Sequence, residues 1–463
     1  MLNVSFVGDG FQGVLTPIFL VDKVALPGWI EQHPEHRDWI TVNGFSGEEG
    51  SFTILPGSYG SGACVLAVRS AEERVWALAA LPRALPPGAY ALDPSLDAAL
   101  DVQSATDAAL GWALESYAFT RYKAAKREPA KIRWPINADR EEVSRLADAM
   151  YMARDLINTP AEDMGPSELV AVGEALAVQS GARVRVVRGQ ALLHENFPCI
   201  HAVGRASHRQ PALLDLTWGH EHSPKVTLVG KGVCFDTGGL DIKSAEGMLD
   251  MKKDMAGAAI VLGLAQALMS ARLPIRLRVL IPAVDNAIAG NSIRPSDILR
   301  TRAGKTVEIG NTDAEGRLIL CDALAEADCE APDLLIDCAT LTGAARIALG
   351  PELQGMFCDD EVAAQALLGA ASSVGDPMWR LPLWRPYRRF LDSNCADLNN
   401  VSGGKFGGAI VAALYLSEFV SDSKTWIHLD IAASNVRGRP GRPEGGEASC
   451  LRALYAFICE RYL

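Results

Sequence analysis

The part of the chain best suited to chemistry is residues 311–318, which read NTDAEGRL. In extended backbone, side chains two positions apart point to the same side. The spacing therefore predicts that Asp313 and Glu315 converge on one point, with Arg317 a little beyond it. Crowded carboxylates repel one another, and a cation between them relieves that cost. The stretch indicates a cation site, and an ordinary acidic loop is the alternative.

Three further places put charged residues beside predicted strand ends or helix starts. Residues 230–239 read GKGVCFDTGG and follow a predicted strand, so Lys231 and Asp236 lie among glycines that allow tight turns. A phosphate-binding loop is the alternative, but the spacing of such loops is absent. Lys243 follows shortly after. Asp254 opens an apolar helix, where an acid on its own is most simply a favourable first-turn charge.

Taken together, these places supply three aspartates, one glutamate, two lysines and one arginine, with no histidine or cysteine. Carboxylate oxygens suit hard or borderline divalent ions such as Mg²⁺, Mn²⁺ or Zn²⁺. Four carboxylates are more than one cation needs. The set therefore predicts a site for two metal ions.

The elements that must position this set alternate regularly after residue 166. The predicted strands are 183–187, 213–218, 225–229, 275–282, 333–338 and 426–431, and the predicted helices are 167–180, 254–271, 317–328 and 409–420. Such alternation favours a mostly parallel central sheet flanked by helices. In these sheets, functional residues gather at the carboxyl ends of the strands.

The fold class that we predict is α/β, with a smaller N-terminal α/β domain and a larger C-terminal catalytic domain. We place the N-terminal domain at residues 1–135, a linker helix at 136–160 and the catalytic domain at 161–463. Within the first of these, residues 96–118 read as one helix rich in alanine and leucine. No tight charged motif occurs there, so a support or assembly role is expected.

Composition limits the classes of function. The 463 residues carry a net charge of -12, which gives no global electrostatic basis for binding nucleic acid or an anionic membrane. The ten cysteines form no Cys-x-x-Cys pair, which favours reduced thiols in a cytosolic protein. Residues 1–10 lack the basic start of a secretory signal, and the apolar residues 255–265 are too few to span a bilayer. We expect a cytoplasmic protein.

Residues 311–318 resemble the signature of the leucyl aminopeptidase family, the cytosol aminopeptidases with two metal ions. The similarity extends to residues 230–239 and Lys243, and to residues 251–257, 339–344 and 428–432. It runs from about residue 154 to the C-terminus. The N-terminal third matches only in size and placement.

The resemblance implies a role for each candidate ligand. Asp236 and Glu315 would bridge the two metals. Asp313 would complete one metal site, and Lys231 and Asp254 would complete the other. As a ligand, Lys231 must have a neutral amine, and a nearby dication together with burial would depress its pKa. The metals implied are manganese or zinc, with magnesium or cobalt as alternatives.

Two further residues would act on the substrate. The resemblance implies that Lys243 polarises the scissile carbonyl and stabilises the oxyanion. It also implies that Arg317 holds a bicarbonate ion as general base, and that the backbone carbonyl of Leu341 accepts a hydrogen bond from the peptide. The positions that match the substrate site are Met251, Asn311, Thr340, Leu341, Gly343 and Ala432. Two nearby residues, Asp241 and Asn435, depart from the family's usual uncharged or apolar choices.

The function implied is a metal-dependent aminopeptidase. It would hydrolyse the N-terminal residue from peptides by means of a water held between the metals, with a preference for leucine or other apolar residues. A homohexamer is implied as the assembly. A two-metal phosphoesterase is the alternative enzyme, although Lys231 and Lys243 weigh against it. A non-catalytic scaffold or nucleic-acid-binding regulator is the alternative outside enzymes, although a catalytically dead descendant would be expected to have lost ligands.

Overall fold

The computed structural model describes residues 4–57, 62–69, 74–401, 403–404 and 406–463. The chain divides into two compact units. The first comprises Met1–Tyr151 with Arg437–Glu444, and the second comprises Met152–Val436 with Gly445–Leu463. The two-domain α/β class predicted from the sequence is therefore confirmed.

The first unit contains a five-stranded sheet in the order β2-β3-β1-β4-β5. Its strands are β1 (Thr16–Val21), β2 (Phe52–Leu55), β3 (Cys64–Val68), β4 (Ala89–Leu92) and β5 (Lys131–Ile132). Its helices are α1 (Leu26–Gln32), α2 (Arg37–Val42), α3 (Leu81–Ala84), α4 (Pro94–Ala99) and α5 (Val102–Ser116), with short 3-10 turns at Pro34–His36 and Arg74–Trp76. Among the described strands of this sheet, β2 pairs antiparallel with β3 and the other pairs are parallel.

The single helix predicted over residues 96–118 is wrong, because the chain forms two helices there. Helix α4 ends at Ala99, and α5 begins at Val102. Between them, Asp101 is extended, and its carboxylate accepts a hydrogen bond from the Ser104 backbone N–H at 2.7 Å. An aspartate in this position satisfies a free N–H group of the first helical turn. The cap therefore starts a new helix inside a continuous alanine-rich run.

The second unit is built on a nine-stranded mixed sheet. The strands of this unit are β6 (Arg183–Arg188), β7 (Ala212–Trp218), β8 (Lys225–Gly230), β9 (Gly232–Asp236), β10 (Arg276–Asn286), β11 (Ile298–Arg300), β12 (Thr306–Glu308), β13 (Leu334–Ala339), β14 (Gln354–Phe357), β15 (Met378–Arg380), β16 (Leu398–Asn399), β17 (Trp426–Asp430), β18 (Ser434–Asn435) and β19 (Gly445–Gly446). The large sheet has the order β15-β14-β17-β13-β8-β10-β7-β6, and β9 also pairs with β10. Its centre, from β17 to β10, is parallel.

Helices cover this sheet in two groups. The helices are α6 (Arg140–Asn158), which spans the division between the units, and α7 (Pro166–Ser180), α8 (Ala191–His194), α9 (Pro198–Gly204), α10 (Ala245–Met248), α11 (Ala256–Ser270), α12 (Glu315–Asp328), α13 (Gly343–Leu349), α14 (Glu361–Ser373), α15 (Gly408–Ser417) and α16 (Leu451–Tyr462), with 3-10 turns at Ala161–Asp163, Met251–Met255 and Arg385–Leu391. Helices α7, α11, α14 and α16 form one connected group, and α9, α12 and α15 form the other. Both groups contact the central strands.

Helix α11 accounts for the most apolar stretch of the sequence. Nearly all of its residues are buried, and it packs against β8, β10 and β13 as well as α7 and α16. A helix that is apolar on every side belongs in the interior of a large domain. Across the described residues, no helix has both the length and the hydropathy needed to cross a membrane.

A buried ion pair joins two distant parts of the second unit. The guanidinium of Arg154, in α6, lies 3.0 Å from a carboxylate oxygen of Glu447, and Arg154 is fully buried. Glu447 also accepts a hydrogen bond from the Asn435 side-chain amide at 2.8 Å. The pair thus anchors the end of α6 beside the β18–β19 segment.

Replacing Arg154 with methionine is expected to destabilise the second unit by about 3–5 kcal/mol, because Glu447 would remain as a buried charge without its cation. Urea unfolding followed by circular dichroism measures this loss. The double variant R154M/E447L should recover part of the stability, because it removes both charges. An unchanged unfolding midpoint in R154M would show that the pair has no structural role.

Candidate metal centre

The stretch at residues 311–318 does not adopt the extended backbone expected from its spacing. Glu315 is the first residue of α12, and Asp313 lies in the turn before it. The helix therefore begins two residues earlier than predicted. The two carboxylates nevertheless approach each other, because the Asn311 side chain accepts a hydrogen bond from the Asp313 backbone N–H at 2.7 Å and tightens the turn.

Asp236 joins these two carboxylates from the end of β9. One carboxylate oxygen from each of Asp236, Asp313 and Glu315 lies within 4.8 Å of the others. The second unit thus brings these three predicted ligands to one place. Asp236 is held there by hydrogen bonds of 2.8 Å from the Gly238 backbone N–H and the Asn286 side-chain amide.

Lys231, the residue after β8, reaches the same cluster. Its Nζ lies 2.9 Å from Asp254 Oδ2 and 3.0 Å from Glu315 Oε1, and it donates to the Thr340 carbonyl at 2.9 Å. Gly316 gives the lysine its room, because a Cβ there would lie 2.6 Å from Lys231 Cε. The glycine of the signature is therefore required by a close approach.

Lys243 contacts the other two carboxylates of the cluster. Its ammonium lies 2.8 Å from Asp236 Oδ2 and also pairs with Asp313. All four predicted carboxylates and both lysines are thus brought together. They are carried by the ends of β8 and β9, by the loop between β9 and α10, by the start of α12 with the turn before it, and by the 3-10 turn before α11.

Burial and repulsion from neighbouring carboxylates raise the pKa of Glu315, Asp313 and Asp254. Burial and the nearby Asp236 raise the pKa of Glu315 well above its ordinary value. The same two causes raise the pKa of Asp313 to about 6. Burial also raises the pKa of Asp254, against the effect of Lys231. Ionising several buried carboxylates close together is unfavourable, and a bound dication lowers this cost.

The protonation of the Lys231 amine depends on opposing effects. Burial alone would lower the pKa of Lys231, but the carboxylates of Asp254 and Glu315 outweigh it and raise the pKa above its ordinary value. Metal binding requires Lys231 to have a neutral amine. Without a metal ion, the two carboxylates favour the charged ammonium instead. The positive charge of a dication opposes their effect and favours loss of the ammonium proton.

The donor set fits divalent metal ions. Glu315 is 1% exposed, and its Oε2 has no hydrogen-bond partner within the described part of the chain. A buried carboxylate oxygen without a partner is costly, and a cation would satisfy it. Oxygen donors with one amine suit hard or borderline ions rather than soft ones. Asp236, Asp254, Asp313, Glu315 and Lys231 could hold them.

Arg317 lies in the first turn of α12, beyond these ligands. Its Nη1 donates to the Asn400 carbonyl, and its buried Nε has no hydrogen-bond partner among the described residues. No described carboxylate lies within ion-pair distance of this guanidinium. A free, buried donor of this kind is suited to a small anion.

The predicted substrate residues lie around the same edge of the sheet. Met251 begins a 3-10 turn, and Thr340 donates from Oγ1 to Asp254 Oδ1 at 2.6 Å. Gly343 begins α13 and is exposed, and a Cβ built there would meet nothing within 4 Å. Ala432 follows β17 and is buried.

The two departures noted in the sequence have partners within the protein. Asp241 accepts a hydrogen bond from the Thr312 backbone N–H at 2.8 Å and so fastens the loop before Asp313. Asn435 directs its amide to Glu447. Each side chain therefore has a structural role, and neither is simply a polar group free to contact a substrate.

Sequence reasoning missed three supporting residues. Asn286 ends β10 and holds Asp236. Asn400 accepts from the Gly310 backbone N–H at 2.8 Å and donates to the Asn311 carbonyl at 2.8 Å. Asp430 ends β17 and accepts from the backbone N–H groups of Leu341 and Thr342, each at 3.1 Å. The position of Asp430 at a predicted strand end was the available signal.

Comparisons with known proteins agree with this geometry. Residues 151–455 match the model of the cytosol aminopeptidase family, catalytic domain, and residues 16–135 match the M17 aminopeptidase N-terminal domain. A probable cytosol aminopeptidase of Nitratidesulfovibrio vulgaris is 43% identical over 321 residues, which cover 68% of this chain. The match spans 63% of the length of that relative.

Solved structures are similar over nearly the whole chain. The crystal structure of a cytosol aminopeptidase from Coxiella burnetii has a TM-score of 0.93 and 47% identity, with 99% of both chains covered. The bottromycin maturation enzyme BotP, in complex with Mn, has a TM-score of 0.86 and 31% identity, with 97% of this chain and 100% of that chain covered.

Proposed function

The chain belongs to the cytosol aminopeptidase family, and on that basis we propose that it is a metal-dependent aminopeptidase that hydrolyses the N-terminal residue from peptides. The observation that carries the proposal is the convergence of four carboxylates with two lysines at one sheet edge. Lysines within a carboxylate cluster distinguish this site from a simple cation-binding loop.

We assign five residues to two divalent ions. Asp236 and Glu315 would contact both ions, Asp313 would complete one site, and Lys231 and Asp254 would complete the other. When bound, such ions supply a water of lowered pKa and polarise the scissile carbonyl. Manganese or zinc is our first choice, with magnesium or cobalt as alternatives, and BotP supplies a relative solved with Mn.

The remaining polar groups would act on the peptide. Lys243 would donate to the carbonyl oxygen and stabilise its negative charge as the tetrahedral state forms. Arg317 would hold a bicarbonate ion that takes up and returns a proton. The backbone carbonyl of Leu341 would accept a hydrogen bond from the substrate backbone.

The substrate site suggests a preference for leucine or another apolar N-terminal residue. Met251, Gly343 and Ala432 would line it with small or apolar groups, and Asn311 and Thr340 would lie beside the ligands. Gly343 leaves open space next to α13. An apolar pocket distinguishes side chains that differ by one methylene only modestly.

We also propose roles for the domains, an assembly and a location in the cell. We place catalysis in residues 161–463 and a support or assembly role in residues 1–135, joined by the linker helix at 136–160. We propose a cytoplasmic homohexamer that acts on peptides. The acidic net charge argues against nucleic acid as a partner.

Leucyl-p-nitroanilide and p-nitrophenyl phosphate, each with added Mn²⁺, test the reaction. We expect release of p-nitroaniline that falls on chelation with EDTA and returns when Mn²⁺ is restored in excess. Turnover of the phosphate ester alone would instead establish a phosphoesterase. Salt-dependent DNA binding at physiological ionic strength, with no turnover of either substrate, would favour a regulator.

A further inference from the structure

A second group of metal-binding side chains lies in the core of the second unit and shares no residue with the proposed metal centre. Cys199, Cys321 and Asp322 each place one ligand atom, a sulfur or a carboxylate oxygen, within 4.8 Å of the others. All three residues are fully buried. Cys199 lies in the first turn of α9, and the other two lie in the middle of α12. The packing of α9 against α12 brings them together.

The hydroxyl of Tyr415 faces the same three residues. Tyr415 lies in α15 and is fully buried, and its Oη has no hydrogen-bond partner among the described residues. Burial and the nearby Cys321 and Cys199 raise the pKa of this phenol well above its ordinary value, so the hydroxyl lies close to both thiols. A buried hydroxyl without a partner is costly. The cluster thus offers four ligand groups from three helices.

The carboxylate of Asp322 is already oriented by three backbone N–H groups. Its Oδ2 accepts from Cys199 at 2.7 Å and from Ile200 at 3.3 Å. Its Oδ1 accepts from Arg302 at 2.8 Å. A carboxylate has about four lone-pair sites, and the remaining one on Oδ1 faces only the weakly donating thiol of Cys321, at 3.9 Å. Hydrogen bonds of this kind orient carboxylates that bind metals.

Burial disfavours the charged forms of these acids when no cation is present. Burial raises the pKa of Asp322 to about 7, and it also raises the pKa of the Cys321 thiol. Contact with Cys321, together with burial, raises the pKa of the Cys199 thiol well above its ordinary value. A divalent ion reverses this preference, because it stabilises the anions and displaces their protons.

We propose that Cys199, Cys321 and Asp322 bind a structural zinc ion, with Tyr415 Oη as the fourth ligand. Two thiolates and two oxygens suit the tetrahedral coordination of Zn²⁺. The thiol protons leave as the ion binds. The ion joins α9, α12 and α15, and it therefore fixes the helix that begins at Glu315.

The spacing of the ligand atoms is compatible with such a site. Zinc lies about 2.3 Å from sulfur and about 2.0–2.2 Å from oxygen, so tetrahedral ligand atoms are about 3.3–3.8 Å apart. The ligand atoms of the two cysteines and Asp322 already lie within 4.8 Å of one another. Small side-chain rotations would close the remaining distance.

Cobalt in place of zinc tests the site in the full-length protein. Because the cluster is fully buried, we expect the ion to enter as the chain folds, so the protein is produced in cells supplied with cobalt. Thiolates bound to Co²⁺ give strong near-ultraviolet charge-transfer absorption, and the oxygen and amine donors of the proposed metal centre do not. We expect this absorption in the wild type and its loss in C199S and in C321S.

C358S is the matched control. Cys358 is a buried cysteine of the same unit, and its Sγ donates to the Asp360 carbonyl at 3.4 Å. This variant should keep the absorption. X-ray absorption at the zinc edge of the zinc-grown wild type depends on no variant, and it should show sulfur about 2.3 Å from zinc.

Three results from the cobalt protein would overturn the inference: no charge-transfer absorption in the wild type, absorption that persists in both C199S and C321S, or absorption that is lost in C358S. A zinc-edge spectrum with oxygen and nitrogen neighbours alone would overturn it as well. Turnover of leucyl-p-nitroanilide, measured separately, bears only on the proposed aminopeptidase function.

Discussion

Replacing Glu315 with glutamine is expected to abolish peptide hydrolysis and to reduce the bound metal. Glu315 is the most enclosed of the carboxylates at the centre, and its Oε2 finds no partner among the described residues. We assign Glu315 to both ions. Because it is the first residue of α12, no neighbouring side chain can take over this role unless the helix moves. The neutral amide removes one negative charge from the cluster and binds cations weakly. We expect kcat/KM to fall by about 10³-fold or more, since metal ions contribute several kcal/mol to such reactions.

The measurement combines leucyl-p-nitroanilide kinetics with metal analysis of the dialysed protein. Circular dichroism should show an intact fold, because the amide matches the carboxylate in shape and its removal lessens repulsion with Asp236. Glu460→Gln is the control, since Glu460 is an exposed glutamate of α16. Near-normal turnover in E315Q, with two ions still bound, would refute the ligand assignment.

Much of the catalytic unit could be predicted because its elements are long and strongly patterned. The strands β7, β8 and β13 and the helices α7 and α12 lie within two residues of their predicted bounds. Buried parallel strands are nearly continuous apolar runs, and the helices that cover them alternate with them along the chain. Because functional residues gather at the carboxyl ends of such strands, the sequence also predicts that Lys231 and Asp236 lie at one edge of the sheet.

The geometry of Asp313 and Glu315 was predicted for a reason that proved wrong. Their convergence does not come from the alternation of an extended strand, because Glu315 is already helical. It comes from a turn that Asn311 and Asp241 fasten by hydrogen bonds to the backbone N–H groups of Asp313 and Thr312. Spacing alone does not reveal such a turn, since each bond depends on a side chain that could equally face solvent.

The supporting residues could not be predicted because their partners are distant in sequence. Asn286 reaches Asp236 across 50 positions, and Asn400 fastens the backbone before Asp313 across 90 and 89 positions. An isolated asparagine matches no motif, and many such residues occupy turns.

Replacing Lys243 with methionine is expected to lower kcat by about 10²–10³-fold, the effect of removing one donor that stabilises an oxyanion. Metal content should stay near that of the wild type, because Lys243 is not among the assigned ligands. Its contacts with Asp236 and Asp313 admit another role, in which the lysine mainly neutralises carboxylates. Bound ions can take over that neutralisation, but they cannot replace a donor aimed at the substrate.

The two roles are separated by measuring kcat and metal affinity in K243M beside K231M. In K231M, a ligand is lost, so metal affinity and kcat should fall together and excess Mn²⁺ should recover part of the activity. In K243M, excess Mn²⁺ should recover none, because the missing group acts on the reacting carbonyl. Recovery of K243M by Mn²⁺ would mean that Lys243 holds the carboxylates in place and does not contact the substrate.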